Sequence, residues 1–132
     1  MKSHQESILQ RVCVAKFRAH WPQYAKLLFA VPNGGGRSKV EAGIMKAEGV
    51  TAGVSDTILL VPNDDYHGLC IEFKCIKTYV EDGKFKKKNT YQEPEQKAWQ
   101  KEVEKVGYKY AVVRTEDEFF ELIEGYLQDE PR

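Results

Sequence analysis

The sequence predicts an α/β fold, one mixed sheet flanked by helices, with elements in the order α-β-α-β-β-α-β-α. Three observations carry that expectation. Short apolar runs of strand character alternate with stretches whose apolar residues recur at helical spacing. Helix starts are marked by Ser38 with Glu41 and by Thr115 with Glu118, and helix ends by Gly49 and Gly107. The 132 residues suit one domain, spanning 1–132, built around one core.

The elements follow in order. Residues 3–19 read as a helix whose stripe is Ile8, Val12, Ala15 and Ala19, broadened by Leu9 and Val14 and ended at Trp21-Pro22. Leu27 to Val31 is a short strand stopped by Pro32, followed by the flexible loop Asn33-Gly34-Gly35-Gly36-Arg37. A helix runs from about 39 to 48. The second strand spans 56–61, Pro62 to Asp65 is a turn, and the third strand covers about 68–76. Residues 77–92, rich in lysine, are expected to be mobile. Pro94 opens a helix that Gly107 closes, Tyr108 to Val113 is a strand, and Phe119, Leu122, Ile123, Tyr126 and Leu127 give the last helix its apolar side.

Within the third strand, Ile71-Glu72-Phe73-Lys74-Cys75 sets a carboxylate and an ammonium two residues apart, so both project from one face. Desolvating the two charges is expensive, and a hydrophobic pair is often at least as stable. That favours retention for chemistry; the plainer alternative is a solvent-facing pair worth ~0.2–1 kcal/mol. Asp56 heads the second strand, where it serves either as a turn residue or as a ligand-facing acid. If strands two and three form a hairpin, Asp56 and Glu72 become neighbours. Two hard oxygen donors with the Phe73 carbonyl suit Mg²⁺ or Mn²⁺. Lys74 is placed to orient an attacking water or to offset charge developing on a phosphate.

Composition bounds the rest. The chain is 42% hydrophobic and 30% charged with net charge zero, and no apolar run is long enough to span a bilayer. Residues 1–55 carry a balance of +5 and residues 112–132 one of −5, which either orients the molecule on a polyanion or reflects solvated helix faces. Cys13, Cys70 and Cys75 show no C-x-x-C spacing and are expected to be reduced and buried. The N-terminus lacks the apolar stretch of a signal peptide, so a cytoplasmic setting, in a bacterial or phage-infected host cell, is expected. His4, His20 and His67 share no ligand spacing and are expected at the surface.

Asp56 followed by Glu72-Phe73-Lys74 resembles the PD-(D/E)xK nuclease signature, with Ser55 where that signature often has proline. The wider pattern is similar to its virus-type replication-repair subgroup, VRR-NUC. The matching pieces are Pro32-Asn33-Gly34-Gly35, Gly49 through Asp56, Glu72-Phe73-Lys74, and Glu95-Gln96-Lys97-Ala98-Trp99 running to Gly107-Tyr108. They cover about residues 5 to 125. The resemblance implies a restriction-endonuclease-like fold, a catalytic set of Asp56, Glu72, Lys74 and Gln96, and metal ligands from Asp56, Glu72, the Phe73 carbonyl and Glu6. Without it, Glu6 is only an exposed helix glutamate and Gln96 an ordinary polar one.

For DNA, Asn33, Gly35, Arg37 and Lys39 are candidates, since glycine admits close backbone approach and the basic residues add charge. Lys86, Lys87 and Lys88 are a second group; either set is otherwise a plain loop or a solvated charge run. Phe85 and Tyr91 lie among these basics, where an aromatic ring can stack on a base. The expected activity is a metal-dependent endodeoxyribonuclease acting on branched DNA, a homodimer resolving Holliday junctions in a phage-type setting. Its dimer surface is expected on exposed apolar residues of the first or last helix. The rivals are a monomeric flap or fork nuclease and a non-catalytic DNA-binding module of a phage replication complex.

Overall fold

The computed structural model describes residues 2–32 and 38–128. The elements are α1 (His4–His20), β1 (Leu28–Ala30), α2 (Lys39–Ala47), β2 (Thr57–Leu59), β3 (Leu69–Phe73), β4 (Ile76–Glu81), β5 (Lys84–Asn89), α3 (Pro94–Lys105), β6 (Lys109–Val113) and α4 (Glu116–Leu127). The main sheet has the order β1-β2-β3-β6, with β1, β2 and β3 antiparallel and β6 parallel to β3. This is the expected mixed sheet with helices on its faces. Among the described residues no helix is long and apolar enough to cross a membrane.

Strand β3 is buried along its whole length. Alternation sends Leu69, Ile71 and Phe73 to one face, where they meet Cys13 and Phe17 of α1 and Phe119 and Ile123 of α4. Phe73 and Phe119 stack at 6.1 Å, and Phe17 and Trp21 at 5.5 Å. Cys70 and Glu72 project to the opposite face, toward the side covered by α3. All three cysteines are free and buried. His4 and His67 are exposed as expected, whereas His20 is half-buried, edge-on to Trp21 and Phe120.

Two expectations need correction. The buried face of α1 is Glu6, Gln10, Cys13 and Phe17, whereas Ile8, Ala15 and Ala19 are exposed. Glu6 and Gln10 carry the buried face through the first two turns and Cys13 and Phe17 continue it, so a stripe drawn through the aliphatic residues alone lies to one side of the face that packs. The segment expected to be mobile is instead a β-hairpin, β4 paired antiparallel with β5. Its turn is Asp82-Gly83, both at positive φ (53° and 72°), the conformation whose twist suits a two-residue hairpin. The third strand is correspondingly divided. Lys74 N–H still bonds Val113 O, but Cys75 N–H turns to Thr90 Oγ1, and the chain then enters the hairpin.

Candidate active site

The register brings the two acids together. Thr57 pairs with Ile71 across antiparallel β2 and β3, so the next position outward sets Asp56 opposite Glu72. Asp56 is anchored at both ends. Its carbonyl accepts from Val31 N–H at 2.8 Å, and its Oδ2 accepts from Phe73 N–H at 2.7 Å. A strand residue presents its N–H and C=O on one edge, so the Phe73 carbonyl leaves β3 on the Asp56 side. Asp56, Glu72 and Lys74 are 7%, 2% and 8% exposed, and all three border one cleft of about 810 Å³.

Glu72 is the most perturbed group of the site. Burial, and then the neighbouring Asp56 carboxylate, push its pKa up to about 8; Lys74 acts in the opposite sense. Two donors hold it. Gln96 Nε2 donates to Oε1 at 2.9 Å, and the Tyr110 hydroxyl donates to Oε2 at 3.4 Å. The amide of Gln96 is itself fixed, because its Oε1 accepts from Glu93 N–H at 2.7 Å in the first turn of α3. Burial and Glu72 both raise the Tyr110 pKa, which keeps its hydroxyl a donor.

Gly53 makes this arrangement possible. It sits at φ +85°, and a Cβ there would lie 2.3 Å from the Glu95 carbonyl oxygen. Only glycine lets the segment before Asp56 press against the start of α3, beside Gln96. Ser55, fully buried, donates from its hydroxyl to Thr57 O at 3.0 Å and stiffens the approach to β2.

Glu6 borders the same cleft, on the wall it shares with a second one. Its oxygens accept from Ser3 N–H at 3.0 Å and from Thr90 Oγ1 at 3.4 Å, so it caps α1 and tethers the exit of β5. Among the described residues no three of His, Cys, Asp and Glu converge as a metal cluster. The donors that do converge are Asp56, Glu72 and the Phe73 carbonyl. That set fits a hard divalent cation, since two facing carboxylates, one of them driven toward its neutral form by burial and by the other, call for positive charge. A cationic stand-in is already there: Lys2 Nζ lies 3.3 Å from Asp56 Oδ1 and also donates to Gln10 Oε1.

Lys2, Gln10 and Tyr110 were not among the expected site residues. Glu6 and Gln10, four apart on α1, carried a usable signal as a polar pair on one helix face. Of the DNA candidates, Asn33, Gly35 and Arg37 lie outside the described residues, and Lys39 is exposed at the first position of α2. Lys86 and Lys88 share one face of β5 while Lys87 projects from the other. Lys77, Lys87 and Lys88 border the second cleft, also about 810 Å³, which meets the first at Glu6, Lys74 and Glu93.

No family model matches the chain, and no curated protein does. A solved structure described as a VRR_NUC domain protein superposes with a TM-score of 0.71 over 98% of this chain and 93% of that one, with 27% of residues identical.

Proposed function

From the VRR-NUC domain that this chain forms, a nuclease-type unit, we propose that it hydrolyses phosphodiester bonds in branched DNA with Mg²⁺ or Mn²⁺ as cofactor. The observation that carries the proposal is the meeting of Asp56 and Glu72 across β2 and β3, with Lys74 on the Glu72 face, in one cleft. Asp56, Glu72 and the Phe73 carbonyl would hold the cation, which supplies Lewis acidity and positive charge opposite the scissile phosphate. Lys74 offsets negative charge developing on phosphorus-bound oxygen and positions the attacking water. Gln96 and Tyr110 hold the Glu72 carboxylate in place, and Gln96 is in turn fixed by the start of α3. Glu6 contributes by tethering the cleft wall.

A two-fold dimer suits the symmetry of a four-way junction. Besides Ile8 on α1, which is exposed, the surface that supports one is α2. Val40 and Ile44 on α2, with Val50 just beyond it, are exposed, and α2 buries no residue of its own. Such a patch on a described surface favours an interface.

The test is a cleavage panel of duplex, single strand, flap, fork and four-way junction with several divalent ions. Junction cutting that EDTA stops, and that Asp56→Ala, Glu72→Ala and Lys74→Ala each abolish in folded protein, is the expected result. A Glu72→Ala protein that cuts like the parent would overturn the assignment. Selective flap cutting by a monomer would replace junction resolution with the flap-nuclease alternative. Metal-independent binding with no product would leave a DNA-binding module.

A further inference from the structure

The β4–β5 ribbon carries exposed features that the cleft does not account for. It leaves the body two residues after Lys74 and returns at Thr90, where Thr90 N–H bonds Cys75 O at 2.9 Å. Six residues per strand give it a length of roughly 20 Å. Its register separates two faces. Lys77, Tyr79 and Glu81 stand opposite Lys88, Lys86 and Lys84 on one, and Ile76, Thr78 and Val80 stand opposite Asn89, Lys87 and Phe85 on the other.

The first face is built at a cost. Lys77 and Lys88 are direct cross-strand partners, and like charges so placed destabilise a hairpin. Glu81 lies 3.5 Å from Lys86, and Lys88 lies over the Tyr79 ring at 5.2 Å, which leaves Lys77 and Lys84 to face solvent. Such a face complements a polyanion.

The second face ends in an apolar tip. Phe85 and its cross-strand partner Val80 are 83% and 64% exposed, one residue pair from the Asp82-Gly83 turn. As a direct cross-strand pair they favour hairpin closure, yet Phe85 remains largely in water. A large aromatic at the end of a lysine-bearing arm, adjoining a phosphate-cutting cleft, has the character of the apolar wedges that unstack base steps.

We propose that the β4–β5 ribbon is a DNA probe: its lysine face tracks phosphates of one arm while Phe85, backed by Val80, inserts between bases at a branch or other weakened step. The inference rests on the DNA-directed reading of the cleft and adds how branched substrate is distinguished from duplex. A two-stranded ribbon fits the major groove, and unstacking is least costly where stacking is already interrupted. The tip therefore selects branch points while the lysines bind any duplex.

The test uses the full chain in EDTA, so that nothing is cut, with a four-way junction carrying 2-aminopurine at the branch and a linear duplex of the same sequence. The parent should raise the junction's fluorescence severalfold. Phe85→Ala should abolish most of that rise and weaken junction binding about tenfold, with duplex affinity within about twofold. Phe85→Trp should restore the rise. Replacing Lys77, Lys84 and Lys88 with alanine should weaken both DNAs and lower the salt slope by about 2–3. Phe85→Ala behaving like the parent on both DNAs would overturn the wedge. So would Phe85→Ala dissociating a dimer in light scattering, which would make the tip a contact between copies. A parent that binds neither DNA overturns the cleft reading itself, a failure visible before any variant is compared.

Discussion

Glu72 should be a stability liability in the metal-free protein, and Glu72→Gln should relieve it. The substitution preserves volume; the new amide oxygen can accept from Gln96, and the Tyr110 hydroxyl can reverse to accept. The folded-state pKa of Glu72, about 8, lies above its ordinary 4.5. Its contribution to stability is therefore whole below about pH 4.5 and is lost as pH rises through about 8. At pH 8 the ionisation penalty has a ceiling of ~4 kcal/mol, and side-chain relaxation and entering water reduce it to roughly 1–3 kcal/mol. In thermal unfolding with EDTA at pH 8, Glu72→Gln should melt about 5–10 °C above the parent. At pH 5 the gap should shrink to about 1 kcal/mol or less. Excess Mn²⁺ at pH 8 should raise the parent's Tm and leave the variant's nearly unchanged, because ligand binding to the native state alone is stabilising. A variant less stable than the parent by the same margin at both pH values would refute the reasoning, since only packing would then have changed.

Other outcomes follow from the same geometry. Lys2→Ala removes the ammonium at Asp56 Oδ1, so Mn²⁺ affinity measured by calorimetry should tighten about fivefold; weaker binding would contradict competition at that oxygen. Gly53→Ala combines a positive φ with a Cβ set against the Glu95 carbonyl and should cost about 2–4 kcal/mol in denaturant unfolding. An unchanged midpoint there would mean the loop has freedom this packing denies it. Ile44→Glu on α2 should convert a dimer to monomer in light scattering with Tm changed by less than about 3 °C, because the site is exposed; a dimer that survives would place the interface elsewhere.

Much of this architecture was legible because local chemistry and tertiary structure agree. Ser38 and Thr115 accept from Glu41 N–H and Glu118 N–H as helix caps, and Gly49 and Gly107 take the positive φ expected at helix ends. Asp56 and Glu72 were placed together because antiparallel pairing of neighbouring strands is the simplest connection. Tyr110 was invisible for the converse reason. It reaches Glu72 through parallel pairing of β3 with β6, at Cys70's position, and local sequence does not encode that register. The α1 stripe failed because its buried face mixes Glu6 and Gln10, which serve the site, with Cys13 and Phe17, which serve the core, so apolar residues alone did not trace it. The hairpin failed through overweighting charge: Asp82-Gly83 between Thr78-Tyr79-Val80 and Phe85 was a sufficient turn signal, but the lysines read as solvated chain.

The clamp at the foot of the ribbon has a wider consequence. Cys75 and Thr90 are joined by backbone and hydroxyl bonds, at 2.9 Å each, that involve neither strand beyond them. The arm is thus a cassette with a closed socket. Its length and tip chemistry can therefore be redesigned beyond Cys75 and Thr90 while the bonds that place Asp56 and Glu72 stay as they are, which makes the arm and the cleft separable targets for engineering.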